Sequence, residues 1–526
     1  MRSLVVNLTR FGDLLQSQPV FTELKAAGRE TALVCLDNFT GAAALLRDVD
    51  HVFPVRGARY LARLEADWRS ALAEVWDFRR DILARFPQPR VINLTPSVCA
   101  RTLGRYLTDG PIAGFGMDAL GFRADATPWG PFLEASSVNR GLSPFNLVDL
   151  FRKTAGLGHG PGVMRLADPP GPLTGAGRKA AEIAAEAPPG ASGLVAFQMG
   201  ASMERRRWPV EYFAALARML WERRRLAAVL LGGKGEAALG ETFLGLTAPY
   251  GVASVNAIGR TSLAELAALV RKTALLVSND TGTMHLAAGL GVPSAAIFLA
   301  TAQPFDTGPY LPGCLCLEPD MPCHPCPFGA PCPNEYACRR AIPPETVFAG
   351  LEGFFGGGAF QEGVYPGARA WLTRMEDSGF AGLASLSGHE RGDRFKWIAL
   401  QRRFFRQFLD EKPVVLGEET AGLPLSPAAT AEIRALLSDS RGLLLLLANQ
   451  GAALSRAPRE AVKAKFLTSW RRLRDVWLGS PYFSILGHLW THLFQEPGQD
   501  FGRILVLIER FSSLADALDR AFAPGK

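Results

Sequence analysis

Short apolar runs alternate with amphipathic stretches through the first two thirds of the chain, and the alternation starts twice. LVVNL (4–8) reads as a buried strand, and Asp13 to Leu24 carries Leu14, Leu15, Val20, Phe21 and Leu24 at broadly helical spacing. TALVCLD (31–37), HVFPV (51–55) and RVINLT (90–95) are further strand-length runs. Short apolar strands separated by helices predict a parallel sheet with crossover helices. Residues 127–146 mix Pro, Gly and Ser, and ADPPGPLTGAG (167–177), with Pro169, Pro170 and Pro172, predicts a domain boundary.

The alternation then restarts. SGLVAFQMG (192–200) is strand into turn, Pro209 to Arg224 is helical with Pro209 in the first turn, and AAVLLGGKGE (227–236) is strand into a glycine turn. TSLAELAALVRKT (261–273) offers Thr261 as a cap and Glu265 in the first turn. ALLVSND (274–280) and SAAIFLA (294–300) are strands on either side of another helix. Past Gly356-Gly357-Gly358 the pattern becomes helical, at 392–410, 427–449, 458–478 and 500–522. The expected organisation is α/β: two Rossmann-like doubly wound domains, at 1–168 and 169–355, facing a cleft. A helical domain follows at 359–526, and a Cys-rich insert lies at 314–338.

Composition narrows the class. With 48% hydrophobic and 20% charged residues the chain is globular. A net charge of +7 over 526 residues is compatible with anionic ligands or an anionic membrane surface and does not call for nucleic acid. The N-terminus is too polar for a secretory signal, and no window reaches the roughly 18 apolar residues of a membrane span. A cytoplasmic location follows, with peripheral contact at the inner membrane as an option. Arg402, Arg403 and Arg406, and Arg471, Arg472 and Arg474 near Trp470 and Trp477, read either as solvated faces over a core or as a docking surface.

Four polar turns fall at predicted strand ends, where open α/β sheets bind ligands. In Ser278-Asn279-Asp280-Thr281-Gly282, Thr281 offers a hydroxyl and Gly282 lets backbone approach a ligand. The helix behind supplies free N–H groups suited to a phosphate, and His285 lies one turn further on. Asp280 beside a phosphate is repulsive unless it fixes the turn or contacts a hydroxyl. The bland alternative is a capped turn with His285 in the interior. Glu236 ends the flexible Gly232-Gly233-Lys234-Gly235 loop, where a carboxylate suits a ribose diol or is simply a helix-start residue. Arg205-Arg206-Arg207-Trp208-Pro209 is either a diphosphate clamp or a solvated basic edge. Asp13, in Arg10-Phe11-Gly12-Asp13, is a base or a helix cap.

Taken together, R-x-G-D after the first strand, the basic-Trp-Pro turn, G-x-x-x-E and D-T-G-x-x-H resemble glycosyltransferase family nine, the ADP-heptose lipopolysaccharide heptosyltransferases. The resemblance covers roughly residues 1–350. It implies a GT-B fold and transfer with inversion from a nucleotide-diphosphate donor, ADP-heptose, to a saccharide-lipid acceptor. It implies Asp13 as base, Arg206 at the donor diphosphate and Glu236 at the ribose, with Asp280, Thr281, Gly282 and His285 around the donor. Arg206 stands where members often have Lys. The helical segment has no counterpart in the resemblance, so a surface-protein acceptor and a non-catalytic sugar-nucleotide-binding protein remain alternatives. A dinucleotide oxidoreductase is disfavoured because no G-x-G-x-x-G follows the first strand.

Cysteine use is uneven. Cys35 and Cys99 stand alone in apolar stretches and predict core thiols. Cys323, Cys326, Cys332 and Cys338 fall at C-x2-C-x5-C-x5-C, with Cys314 and Cys316 just before. The spacing suggests a structural zinc or iron, with disulfides or free thiols as the alternative, and no cofactor for catalysis. Some members of the resembling family carry a similar stretch, which in autotransporter heptosyltransferases resembles an iron-binding finger.

Overall fold

Residues 4–6 are fully buried, and a continuous apolar run of that length is stable only in a sheet covered on both faces. The computed structural model describes residues 1–158, 160, 162–168, 174–363, 365–416, 425–495 and 500–522. Pro169, Pro170 and Pro172, where the sequence places a domain boundary, lie outside the described residues. Two compact units emerge. One comprises Met1–Arg90, Phe145–Arg152 and Leu157–His389; the other comprises Val91–Pro144, Lys153–Gly156 and the chain from Glu390 onward.

In the first unit, β1 (Arg2–Val6), β2 (Glu30–Leu36) and β3 (His51–Val55) form a parallel set in the order β3-β2-β1, with Val5 opposite Leu33 and Val34 opposite Phe53. β4 (Arg90–Asn93) and β5 (Ala113–Gly114) pair parallel. The first unit also holds an eight-stranded sheet. Its strands are β6 (Gly193–Gln198), β7 (Leu226–Leu231), β8 (Ser254–Asn256), β9 (Leu275–Asn279), β10 (Ser294–Ile297), β11 (Leu315–Pro319), β12 (Ala368–Met375) and β13 (Ala381–Ser385). The order is β13-β12-β11-β10-β9-β6-β7-β8. β6 to β11 run parallel, as the alternating pattern predicts. Phe197, Val277 and Trp208 sit in its core, and truncating a buried phenylalanine such as Phe197 to alanine costs about 3–5 kcal/mol.

Local chemistry matches these elements with one adjustment. The helix Leu263–Val270 is capped by Ser262, whose side chain accepts from Glu265 while Glu265 reaches back, a full capping box. Thr261, the cap expected from sequence, lies one residue outside it.

Three further readings change. Residues 368–385, placed with the helical segment by sequence, form β12 and β13 and extend the sheet in antiparallel fashion. Cys35 is buried in β2, but Cys99 is exposed, because the helix Val98–Leu107 turns Ala100 and Arg101 inward and its first residues outward. The helices Asp393–Leu409, Pro427–Arg456, Glu460–Leu478 and Phe501–Ala521 fall where expected, and Ser484–Gln495 adds a fifth. They share the second unit with residues 91–144: Trp129 donates to Asp410 at 2.9 Å and Asn139 to Ser484 at 2.7 Å. Trp470, Trp477 and Arg402 are buried there, so the aromatics and one arginine of the basic stretches belong to a core. Among the described residues no helix is long and apolar enough to cross a membrane.

Candidate active site

Asn7 closes the turn after β1. Its fully buried Oδ1 accepts from the backbone N–H of Thr9 at 3.1 Å and from the Thr9 hydroxyl at 2.5 Å. That turn starts the helix Phe11–Gln16, with Arg10 at its N-cap and Asp13 in the first turn.

The turn after β9 is built from inside. Ser278 is fully buried, and its hydroxyl lies 3.0 Å from that of Thr281, the N-cap residue of the helix Gly282–Gly289. Asn279, also fully buried, accepts from the Trp208 N–H at 2.9 Å and donates to the carbonyls of Met199 and Gly200, at 2.8 and 3.3 Å. One amide thus ties the strand ends of β6 and β9 to the arginine loop. Trp208 holds that loop from its other side by donating to the Ile342 carbonyl at 2.9 Å.

Arg206 projects from this loop with 8% exposure. Its Nε donates to the fully buried Thr301 hydroxyl at 2.8 Å, and its Nη1 lies 3.5 Å from Asp280 Oδ2. The ion pair answers the puzzle of an acid at a phosphate-type turn: Asp280 faces a guanidinium and helps fix it. Glu236 accepts from the Gly233 N–H at 2.7 Å and from Gln198 Nε2 at 3.3 Å. The Gln198 carbonyl oxygen in turn accepts from Thr283 at 3.1 Å. A hydrogen-bonded path therefore joins Glu236 to the helix that carries Gly282 and His285.

The two glycine motifs meet. A methyl group placed on Gly12 would stand 3.2 Å from Gly282 Cα and 3.1 Å from His285 Cδ2, tighter than ordinary contact. Asp13, Arg206, Asp280, Thr281, Gly282 and His285 all fall in the first unit, on turns that touch or share hydrogen bonds. Gln198, Asn279, Thr283 and Thr301, which hold these turns, were not singled out by sequence. Each is a small polar residue inside or after a strand, a faint signal on its own.

The four cysteines of the C-x2-C-x5-C-x5-C segment are free thiols. Cys323 Sγ accepts from Asn334 at 3.2 Å and Cys332 Sγ from the Tyr336 N–H at 3.3 Å. Burial pushes the Cys326 and Cys338 thiols up, and the other cysteines of the set add to that. Among the described residues no group of three or more Cys, His, Asp or Glu side chains is arranged to hold a metal ion. The zinc or iron expected at Cys323, Cys326, Cys332 and Cys338 is therefore not shown.

Parallel sheets whose strand ends carry an arginine, a helix N-terminus and a carboxylate loop suit an anionic, nucleotide-type ligand. Residues 169–336 match the family model of glycosyltransferase family 9 (heptosyltransferase). The chain is 28% identical over 337 residues to lipopolysaccharide heptosyltransferase 1 of Pseudomonas aeruginosa, covering 62% of this chain and 86% of that one. It is 34% identical over 108 residues to lipooligosaccharide heptosyltransferase 2 of Haemophilus ducreyi, covering 20% and 31%. The crystal structure of a family 9 glycosyl transferase from Veillonella parvula shares the fold. Its TM-score is 0.54 at 19% identity, over 68% of this chain and 97% of that one.

Proposed function

We propose that this glycosyltransferase moves a heptose from ADP-heptose to a lipopolysaccharide-type saccharide acceptor, with inversion at the anomeric carbon. The observation that carries the reading is the meeting of Gly12 with Gly282, which brings the helix of Asp13 against the helix behind the Asp280-Thr281-Gly282 turn. Arg206 and the N–H groups at the start of the helix Gly282–Gly289 bind the donor diphosphate and take up the charge that develops on it as the glycosidic bond breaks. Glu236 accepts from the ribose hydroxyls. Asp13 takes the proton of the acceptor hydroxyl as its oxygen attacks the anomeric carbon from the face opposite the diphosphate, which inverts the centre. The sugar and acceptor follow from the relatives, whose names specify heptose and lipopolysaccharide or lipooligosaccharide.

A structural zinc or iron on the four cysteines belongs to the same proposal. Four sulfurs are the donor set of a closed tetrahedral site, which holds structure and leaves no open position for chemistry. Loading would gather the four thiols into a shell and release their protons.

The test is direct. With ADP-heptose and a deacylated heptose-free lipopolysaccharide core, the acceptor should gain one heptosyl unit in the mass spectrum while ADP is released. Turnover with another nucleotide sugar and none with ADP-heptose would overturn the donor assignment. ADP release without acceptor gain would overturn the acceptor.

A further inference from the structure

The Cys-rich segment reaches the arginine loop at several points. From below, the Cys326 N–H donates to the Ala300 carbonyl at 2.8 Å. Ala300 has φ 56°, a left-handed conformation that a residue with a Cβ adopts at a cost and keeps only where its surroundings hold it. The next residue is Thr301, whose hydroxyl accepts from both Nε and Nη2 of Arg206. From above, the half-exposed Phe328 ring lies 5.5 Å from the Arg206 guanidinium, within cation–π distance. On the flanks, Arg205 donates to the Ala330 carbonyl at 3.3 Å and Arg339 donates to the Arg207 carbonyl at 3.0 Å.

From this geometry we infer that the Cys-rich segment is a positioning clamp for the donor-binding arginine, with Phe328 and Thr301 as the positioning residues. The inference rests on the proposed role of Arg206 at the donor diphosphate. Arginine's long side chain has much rotamer freedom to lose, and a fork aimed before the anion arrives loses less of it on binding. Thr301 sets the tilt of the guanidinium plane, Asp280 holds one Nη, and Phe328 covers the face. A segment in contact with Ala300, Arg205, Arg206 and Arg207 therefore couples its own fold to donor affinity.

The experiment is a double-mutant cycle on the full chain, read by calorimetric titration with ADP and by steady-state kinetics with the nucleotide sugar. Phe328→Ala should weaken ADP binding by roughly threefold, the size of an exposed cation–π contact. Thr301→Val, which keeps the shape and removes the hydroxyl, should weaken it by roughly tenfold, the size of a hydrogen bond to a charged group. Both should raise the donor KM and lower kcat by roughly a few-fold, since Arg206 meets the bound diphosphate and also the charge that develops on it. Phe328→Tyr and Thr301→Ser should restore affinity, which a mere packing role would not require. In an Arg206→Ala background neither substitution should weaken ADP further. If each keeps its full effect in that background, it acts on the donor independently and the clamp is wrong. If Arg206→Ala weakens ADP but Phe328→Ala and Thr301→Val do not, the clamp fails while the donor site stands. If Arg206→Ala itself leaves ADP affinity unchanged, the donor-site reading fails and takes the clamp with it.

Discussion

Gly12 and Gly282 stand face to face: a methyl on Gly12 would lie 3.2 Å from Gly282 Cα, and one on Gly282 would run into the Phe11 ring. Two turns far apart in sequence therefore come together because neither has a side chain at the point of contact. Gly282→Val should push them apart. Overpacking of this kind costs about 1–3 kcal/mol, so the urea midpoint should fall and ADP affinity with it. Gly282→Ala should do the same to a smaller extent. Adding Phe11→Ala should recover part of the loss, because the obstacle is the Phe11 ring. A Gly282→Val protein with unchanged midpoint and affinity would contradict the packing.

Asp13 and Arg206 should separate in kinetics. A base acts on the acceptor, so Asp13→Asn should keep ADP affinity and lower kcat by about 100-fold or more. Arg206→Ala removes a charge-assisted contact of about 1.5–3 kcal/mol and should weaken ADP first. Calorimetry with ADP alongside steady-state rates distinguishes the two. Near-normal turnover in Asp13→Asn would remove the base assignment.

The strands and their parallel direction were legible because buried strands such as LVV of β1 read as continuous apolar runs. β12 and β13 were not. AGLAS is short and built of small residues, and both strands follow a glycine triplet that suggests a domain end. β12 is held by pairing with β11, which is non-local, and β13 in turn by pairing with β12. The helix Ser484–Gln495 was hidden by Gly487 and two histidines in an otherwise apolar stretch. In the site, motif residues were legible because each interrupts a strand-to-helix transition with chemistry that the transition does not need. Thr301 and Phe328 were not, because their importance lies in contacts with residue 206, about a hundred positions away.

The Cys-rich segment gives a prediction that does not depend on the sugar. Protein purified without chelator should carry about one zinc or iron per chain by elemental analysis, the stoichiometry of a four-sulfur structural site. Cys326→Ser should then lower metal content and thermal midpoint together, since metal bound to the folded form stabilises it by mass action. Metal-free protein with an unchanged melting curve would leave the cysteines as free thiols and remove the metal.

His492 supplies the pH dependence of the second unit. Its Nδ1 lies 2.7 Å from Arg123 Nη1, and a guanidinium can only donate, so the imidazole must present a lone pair there and be neutral. Burial first, then the Arg123 and His488 charges, lowers its pKa from 6.5 to about 4, while Asp125 pulls weakly the other way. Between those two values the unfolded chain takes up a proton that the folded chain refuses. The unfolded state binds more protons, so stability rises with pH across this window and is lost as pH falls from about 6.5 toward 4. Trp490 shares the helix Ser484–Gln495 with His492 and packs against Trp477 with ring centroids 5.8 Å apart, so unfolding of this unit changes tryptophan fluorescence, to which Trp68, Trp76, Trp208, Trp221 and Trp371 of the first unit also contribute. Urea midpoints measured across that window should decline toward acid. His492→Gln keeps an acceptor for Arg123 without a titrating group and should flatten the decline. An equally steep decline in His492→Gln would place the acid sensitivity elsewhere.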